Sequence, residues 1–383
     1  MDFSLTDEQQ QLKDSLCRYL DKNYSFEARR QQLKTTDKYC ATHWRAFADM
    51  GLLGIGVPEE FGGMGAMGNG AECLSVVMEC FGRALVVEPY LATVVLCASV
   101  LREAASQTQK ESILAEIVAG NTVLALAVQE RSARYRLSHV TTSAQRDGDG
   151  YLLSGAKMAV LHGDAADTLI VSARSSGQPG DQDGISLFLV DKNAAGLTIR
   201  GYRTHDGMRA AEVTFKDVRV AQSALVGPVG AGYAALARSI EYARVALCAE
   251  AVGAMTALSE QTLEYLKTRK QFGVAIGSFQ VLKHRMVDVF NTSEQARSIT
   301  MLAAIKADAA DAGERRRSIA AAKSLVGQAA RSIGQEAVQM HGGMGVTDEL
   351  ACGHYFKRLT AIDLTLGDAD YCRAELGDLL AAT

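Results

Sequence analysis

The hydrophobic period of this chain changes twice, and those two changes constrain its layout more than any single residue does. Up to about residue 120 apolar residues recur at helical spacing. From about 123 they fall into short β-rich runs, and from about 230 the helical spacing returns and holds to the end. Thr6, Asp7, Glu8 and Gln9 offer a helix cap with acidic residues in the first turn, and Leu12, Leu16, Tyr19 and Leu20 follow on one face. Glycine turns at Gly51, Gly62, Gly63 and 65–70 set that region apart from further helices across 74–101 and 110–118. The β-rich runs are 123–128, 151–154, 168–172, 186–190, 197–200 and 212–220, punctuated by turn clusters at 147–150 and 175–184. The later helical patterns cover 231–268, 278–310, 314–341 and 348–380. An interior proline would break helices of this length, and the chain has only four. The order predicts an α+β fold: a helical domain at 1–120, an antiparallel sheet or small barrel at 121–226, and a four-helix bundle at 227–383.

Composition removes several function classes. A net charge of −4 with no long Lys/Arg run gives nucleic acid or an anionic membrane surface nothing to hold. Apolar runs such as 123–128 are too short to span a bilayer, so no membrane insertion is expected. Met1, Asp2, Phe3 and Ser4 lack the basic and apolar regions of a secretory signal, which makes the cytoplasm the expected location. The eight cysteines, at 17, 40, 73, 80, 97, 248, 352 and 372, form no CxxC pair and mostly sit within apolar helical patterns. They predict reduced, buried thiols in place of a disulfide framework or a metal site.

Two segments carry the chemistry. Thr268-Arg269-Lys270-Gln271-Phe272-Gly273 closes one helical pattern, and Gln339-Met340-His341-Gly342-Gly343-Met344-Gly345 closes another. Together they supply a guanidinium, amide donors, an aromatic face and glycines that let backbone approach a ligand, which suits a pyrophosphate dinucleotide. Each has a plainer explanation when taken alone. Arg269 is a cation favoured at a helix C-terminus, Gln339 a cap, and Gly342 with Gly343 an ordinary helix stop. His341 reads as packing beside the glycine turn, since no second ligand stands at metal spacing. The Ala-rich stretch 308–330 reads as core and packing surface between subunits.

Five segments in order resemble the acyl-CoA dehydrogenase family: Ser4-Leu5-Thr6-Asp7-Glu8-Gln9-Gln10, 56–63 (GVPEEFGG), 211–220 (AEVTFKDVRV), 269–280 (RKQFGVAIGSFQ) and 339–345 (QMHGGMG). The resemblance spans essentially the whole chain. It implies that family's fold, FAD as cofactor, acyl-CoA as substrate and an electron-transfer flavoprotein as acceptor. Family members remove an α-proton with a carboxylate base while the β-hydrogen leaves as hydride to the flavin. Carried over residue by residue, the resemblance assigns the ADP half of an FAD to Arg269, Gln271, Phe272, Gln280, Gln339, Gly342 and Gly343, acting across a subunit interface. It assigns Arg244 to the substrate site.

The same resemblance leaves the base position empty. Where the family usually carries Glu in an E-G-T run, 363–368 reads DLTLGD and places Leu366. The alternative position, directly before an Arg, is Ala243. Glu241 and Asp368 are the nearest carboxylates, and Glu241 points about 200° around a helix from Ala243. The flavin-ring segments depart too. Gln129-Glu130-Arg131-Ser132-Ala133-Arg134-Tyr135 stands in place of a glycine- and serine-containing loop, and Ala159 and Leu161 within 157–163 replace a Trp and a Thr. Loss of the ring side with retention of the ADP side is similar to the small subunits of heteromeric dehydrogenases, such as the pimeloyl-CoA and steroid side-chain types. Such a subunit requires a second acyl-CoA dehydrogenase-like chain as partner. Two alternatives stand beside it: a self-sufficient dehydrogenase with a displaced base, Glu241 or Asp368, and a non-enzymatic assembly protein of the same fold.

Overall fold

The computed structural model describes residues 5–35, 38–65 and 70–381, so most of the expected glycine turn at 65–70 lies outside the described residues. The helices are α1 (Asp7–Asn23), α2 (Phe26–Thr35), α3 (Ala41–Asp49), α4 (Gly70–Ala84), α5 (Ala98–Ala104), α6 (Gln107–Val118), α7 (Tyr233–Thr268), α8 (Gln280–Lys306), α9 (Ala312–His341), α10 (Ala351–Leu364) and α11 (Ala369–Ala381). The strands are β1 (Leu124–Ala127), β2 (Ser143–Asp147), β3 (Gly150–Leu161), β4 (Thr168–Arg174), β5 (Ile185–Asp191), β6 (Leu197–Arg203), β7 (Arg209–Ala221), β8 (Leu225–Val226), β9 (Lys270–Gln271) and β10 (Val274–Ala275). The expected cap is present: Thr6 accepts from the Gln9 amide while the Gln9 side chain returns a bond to Thr6, a capping box at the head of α1.

Two compact units result. One groups Thr35–Gly70 with Val87–Ala243 and contains the sheet, in the order β6-β7-β3-β2-β4-β5-β8 with β1 beside β4. Its core is apolar, with Leu153, Leu169, Val171, Val213 and Phe215 buried and the Tyr151 and Phe188 rings 5.0 Å apart. The antiparallel sheet expected from sequence needs one correction. β1 runs parallel to β4, Leu124 opposite Thr168, and β2 also meets β4 in parallel at Ser143 and Arg174, so the sheet is mixed. The whole β2–β3 hairpin lies between β1 and β4 and provides the long crossover that parallel pairing needs. β2 itself, Ser143-Ala144-Gln145-Arg146-Asp147, has one fully buried residue and no readable alternation.

Two bulges shape the β3–β7 pair. Near Asp217, at φ 51, β7 uses one residue more than β3, and its buried positions shift from Ala211, Val213 and Phe215 to Val218 and Val220. Further along, Lys157 pairs with Val213 and Val160 with Ala211, so here β3 carries the extra residue, with Ala159 at φ 50. The second bulge falls inside the segment 157–163.

The other unit groups Met1–Lys34, Ala71–Val86 and Arg244–Thr383. Here α8, α10 and α11 pack on α9, whose buried Ala320, Ala322, Ala329, Ala330 and Ala337 allow close approach. α7 joins this bundle through Glu250, whose carboxylate accepts from Arg358 of α10 at 2.6 and 2.7 Å, both side chains buried. α4 and α7 cross almost backbone to backbone: a Cβ on Gly82 would stand 1.8 Å from the Glu250 carbonyl oxygen, and one on Gly253 1.9 Å from that of Glu79. The pattern at 348–380 is two helices, because Leu366 (φ 59) and Gly367 (φ 116) turn the chain between α10 and α11. The pattern at 74–101 is likewise broken after Ala84, with Leu85 at φ 55 and a π-helical stretch Leu91–Cys97 leading into α5.

Candidate functional site

At the C-terminus of α7 the chain makes a tight hairpin. The Ile276 amide donates to the Arg269 carbonyl at 2.8 Å, and Gln271 pairs with Val274. Phe272 and Gly273 take φ 54 and 81, both left-handed, as a two-residue hairpin turn that matches strand twist requires. That geometry throws the Phe272 ring outward, 91% exposed. Arg269 is exposed and carries no ion pair among the described residues. The Phe272 ring meets Phe279 edge-on at 6.2 Å, and Phe279 immediately precedes Gln280, the first residue of α8.

α9 ends on the second segment. Gln339 is exposed, Gly342 turns the chain at φ 60, and a Cβ added at Gly342 or Gly343 would meet nothing within 4 Å. The two segments are fastened together by residues the sequence reading did not use for the site. Tyr265, one turn before Arg269, stacks on His341 with centroids 4.4 Å apart, and its hydroxyl donates to the His341 carbonyl at 3.4 Å. His341 Nδ1 in turn donates to the Ala337 carbonyl at 2.8 Å. His341 is thus the packing residue expected, and its packing partner is Tyr265. The result is an open patch on which a guanidinium, three exposed amide side chains, an aromatic face and a bare glycine backbone are available to an anionic ligand.

Burial pushes the His341 ring below its ordinary pKa, and burial does the same to His43 and His354. The unfolded chain therefore binds more protons in mildly acidic solution. The stability these neutral rings contribute is present above the ordinary value of 6.5 and is lost as pH falls through their folded values. Thermal midpoints are expected to drop between about pH 7 and pH 5, with a smaller drop in His341→Gln. An unchanged slope in that variant would remove His341 from the account.

The position where a base is expected lies in a firmly held turn. Arg244 Nε donates to the Leu366 carbonyl at 2.8 Å, and its Nη1 donates to Glu375 at 2.7 Å. Lys323, fully buried, donates to the carbonyls of Ile362, Asp363 and Gly367 at 2.9, 2.8 and 2.7 Å, closing the C-terminus of α10. The turn is built; the side chain it presents is a leucine. Ala243 is buried and offers no proton acceptor. Of the two nearby carboxylates, Glu241 accepts from Arg238 at 3.2 Å, and Asp368 accepts from the Tyr371 amide at 2.8 Å in the first turn of α11. Both are already engaged.

Segments 129–135 and 157–163, where the resemblance leads one to expect a flavin ring, are tied to each other through backbone. The Met158 amide donates to the Gln129 carbonyl at 2.9 Å, and the Ala159 bulge follows at once. Beneath them Lys157 Nζ meets Glu130 at 2.7 Å, and Thr141 and Thr142 donate backbone and hydroxyl bonds to the same carboxylate. Burial pushes the Glu130 carboxyl up, but Lys157 and those bonds outweigh it and bring it down to about 2. Glu130 is therefore a structural anion. Neither Ala159 nor Leu161 offers an aromatic face or a hydroxyl.

Three family models match the chain: acyl-CoA dehydrogenase, N-terminal domain, over 6–121, middle domain over 125–218, and C-terminal domain over 230–378. A mitochondrial isovaleryl-CoA dehydrogenase from Solanum tuberosum is 28% identical across 97% of this chain and 90% of its own length. The ChsE4-ChsE5 complex from Mycobacterium tuberculosis matches with a TM-score of 0.89 and 25% identity, covering 100% of both chains. The FAD complex of PigA matches with a TM-score of 0.90 and 26% identity, covering 100% of this chain and 99% of that one.

Proposed function

This chain belongs to the acyl-CoA dehydrogenase family and is one of its flavoproteins, and from that premise we propose that it is the accessory subunit of a heteromeric dehydrogenase. The assembly introduces an α,β double bond into an acyl-CoA thioester and passes electrons to an electron-transfer flavoprotein. FAD, when bound, supplies the acceptor for the hydride leaving the β-carbon. In this reading Arg269 pairs with the pyrophosphate, Gln271, Gln280 and Gln339 donate amides, Phe272 covers a ring face, and Gly342 and Gly343 let backbone approach. The isoalloxazine ring and the base come from the partner. Arg244 serves the substrate site by holding the Leu366 turn in place. The domains are 1–120, 121–226 and 227–383, and the site of action is the cytoplasm; no helix among the described residues is long and apolar enough to cross a membrane.

One observation carries this reading. The ADP-side donors stand open and, among the described residues, unpaired, whereas the base position is a leucine in an otherwise intact turn. Apolar side chains in or next to these segments also stand uncovered: Phe272, Val281 and Val346 are 91, 60 and 74% exposed. The self-sufficient alternative meets Glu241 and Asp368 already occupied by Arg238 and the Tyr371 amide. The test is purification. Made alone, the protein should be nearly colourless; made with a dehydrogenase-like chain that carries the missing Glu, it should co-purify as a yellow assembly. About one flavin per two chains is expected there, since only one of each pair of interface sites keeps both halves. A yellow, acyl-CoA-active homo-oligomer of this chain alone overturns the proposal.

A further inference from the structure

Away from that site, α1 and α4 bring two of the eight free cysteines into contact. The Cys17 and Cys80 sulfurs lie 3.5 Å apart, although the residues are 63 positions apart in sequence. Cys80 is buried at 2% exposure, whereas Cys17 is half-buried and reaches solvent. Both thiols line a cavity of about 250 Å³ that Arg83, Glu260 and Tyr355 also border, ample room for a molecule larger than water. The hydrogen bond from Cys80 favours the thiolate at Cys17 and, with Lys13 nearby and burial opposing, brings its pKa down to about 7. The same contact, together with burial, pushes the Cys80 thiol up. One sulfur is therefore an accessible nucleophile, and the other is a protonated partner held within reach.

We infer that Cys17 and Cys80 form a hydroperoxide-reactive dithiol site that closes reversibly to a disulfide linking α1 to α4. In the first step the Cys17 thiolate attacks one oxygen of the peroxide. An S–O bond forms, the O–O bond breaks, and the other oxygen leaves with the electron pair and takes a proton from solvent to become alcohol or water. The sulfur is oxidised to a sulfenic acid as the peroxide is reduced. In the second step the Cys80 sulfur attacks that sulfenic sulfur. The S–S bond forms, the S–O bond breaks, and the hydroxide leaves as water with the Cys80 proton. The sulfurs must close from 3.5 Å to about 2.0 Å, the length of a disulfide bond. A dithiol reductant reverses the closure by exchange.

The test uses the full chain under native conditions. It is treated with hydrogen peroxide, quenched, denatured and alkylated, and its peptides are mapped with and without reduction. The expected result is loss of two alkylatable thiols per chain and one cross-linked peptide pair containing Cys17 and Cys80, both restored by dithiothreitol. In Cys80→Ser the sulfenic acid at Cys17 should persist and be trapped by dimedone; in Cys17→Ser both the cross-link and the label should vanish. Should either variant fail to fold, the wild-type map decides alone. If both thiols remain alkylatable at a peroxide dose that oxidises the half-buried Cys40, or the cross-link joins another pair, the inference fails.

Discussion

Purified without a partner, this chain is expected to oxidise an acyl-CoA at least about 10²-fold more slowly than a relative that carries its base, because a positioned general base alone contributes about 10²–10⁴-fold. Leu366→Glu is expected to leave that low rate unchanged. The turn would present the new carboxylate well: Arg244 holds its carbonyl, Lys323 holds the three carbonyls around it, and the backbone at 366 already accepts a side chain at φ 59. In the proposed reading the substitution does not supply a ring site, since the resemblance places Ala159 and Leu161 where relatives carry an aromatic and a hydroxyl. Stopped-flow measurement of acceptor reduction tests both statements. Turnover of the unmodified chain on the order of 10 s⁻¹, an ordinary enzyme rate, would contradict the first. A measurable gain in Leu366→Glu would show that the ring side works after all.

The second large effect concerns retention of the cofactor. In the mixed assembly Arg269→Ala should weaken FAD binding by about tenfold to a hundredfold, because a charge-assisted contact to pyrophosphate is worth roughly 1.5–3 kcal/mol. The residue is well suited to a clean comparison. It is exposed and makes no ion pair among the described residues, so its removal leaves no buried charge behind and should cost little stability. Flavin absorbance per chain after exhaustive dialysis reports the loss. Unchanged retention would sink the interface grip, whatever the activity of the assembly.

Much of this was readable before any coordinates. The change of period placed the strands, and the two glycine-bearing segments placed the patch, because tight turns and bare backbone demand particular residues at particular positions. What escaped notice has physical reasons. β2 is polar along most of its length, so its pairing comes from its neighbours and not from its own pattern. The parallel β1–β4 contact joins strands that are distant in sequence, which local periodicity does not report. The turn at Leu366 resembles helix because nothing about leucine announces a positive φ. Tyr265 stacks on His341 across two helices, a pairing that helical spacing within α7 does not report. Cys17 was expected to be buried, and it is only partly so.

The bulge at Ala159 separates two kinds of constraint on β3. A side chain on a strand can be exchanged singly at modest cost, so residues such as Ala159 and Leu161 can vary while the chain folds as before. An extra residue in the ladder is different: Met158 and Ala159 together stand opposite Glu212, which keeps Val160 on the buried face although it lies three residues after Lys157, where unbulged alternation over the same residues would turn it outward. The kink therefore sets which face the residues after it present, while the identity of each side chain remains free to vary, so on this strand backbone shape and side-chain chemistry are specified separately.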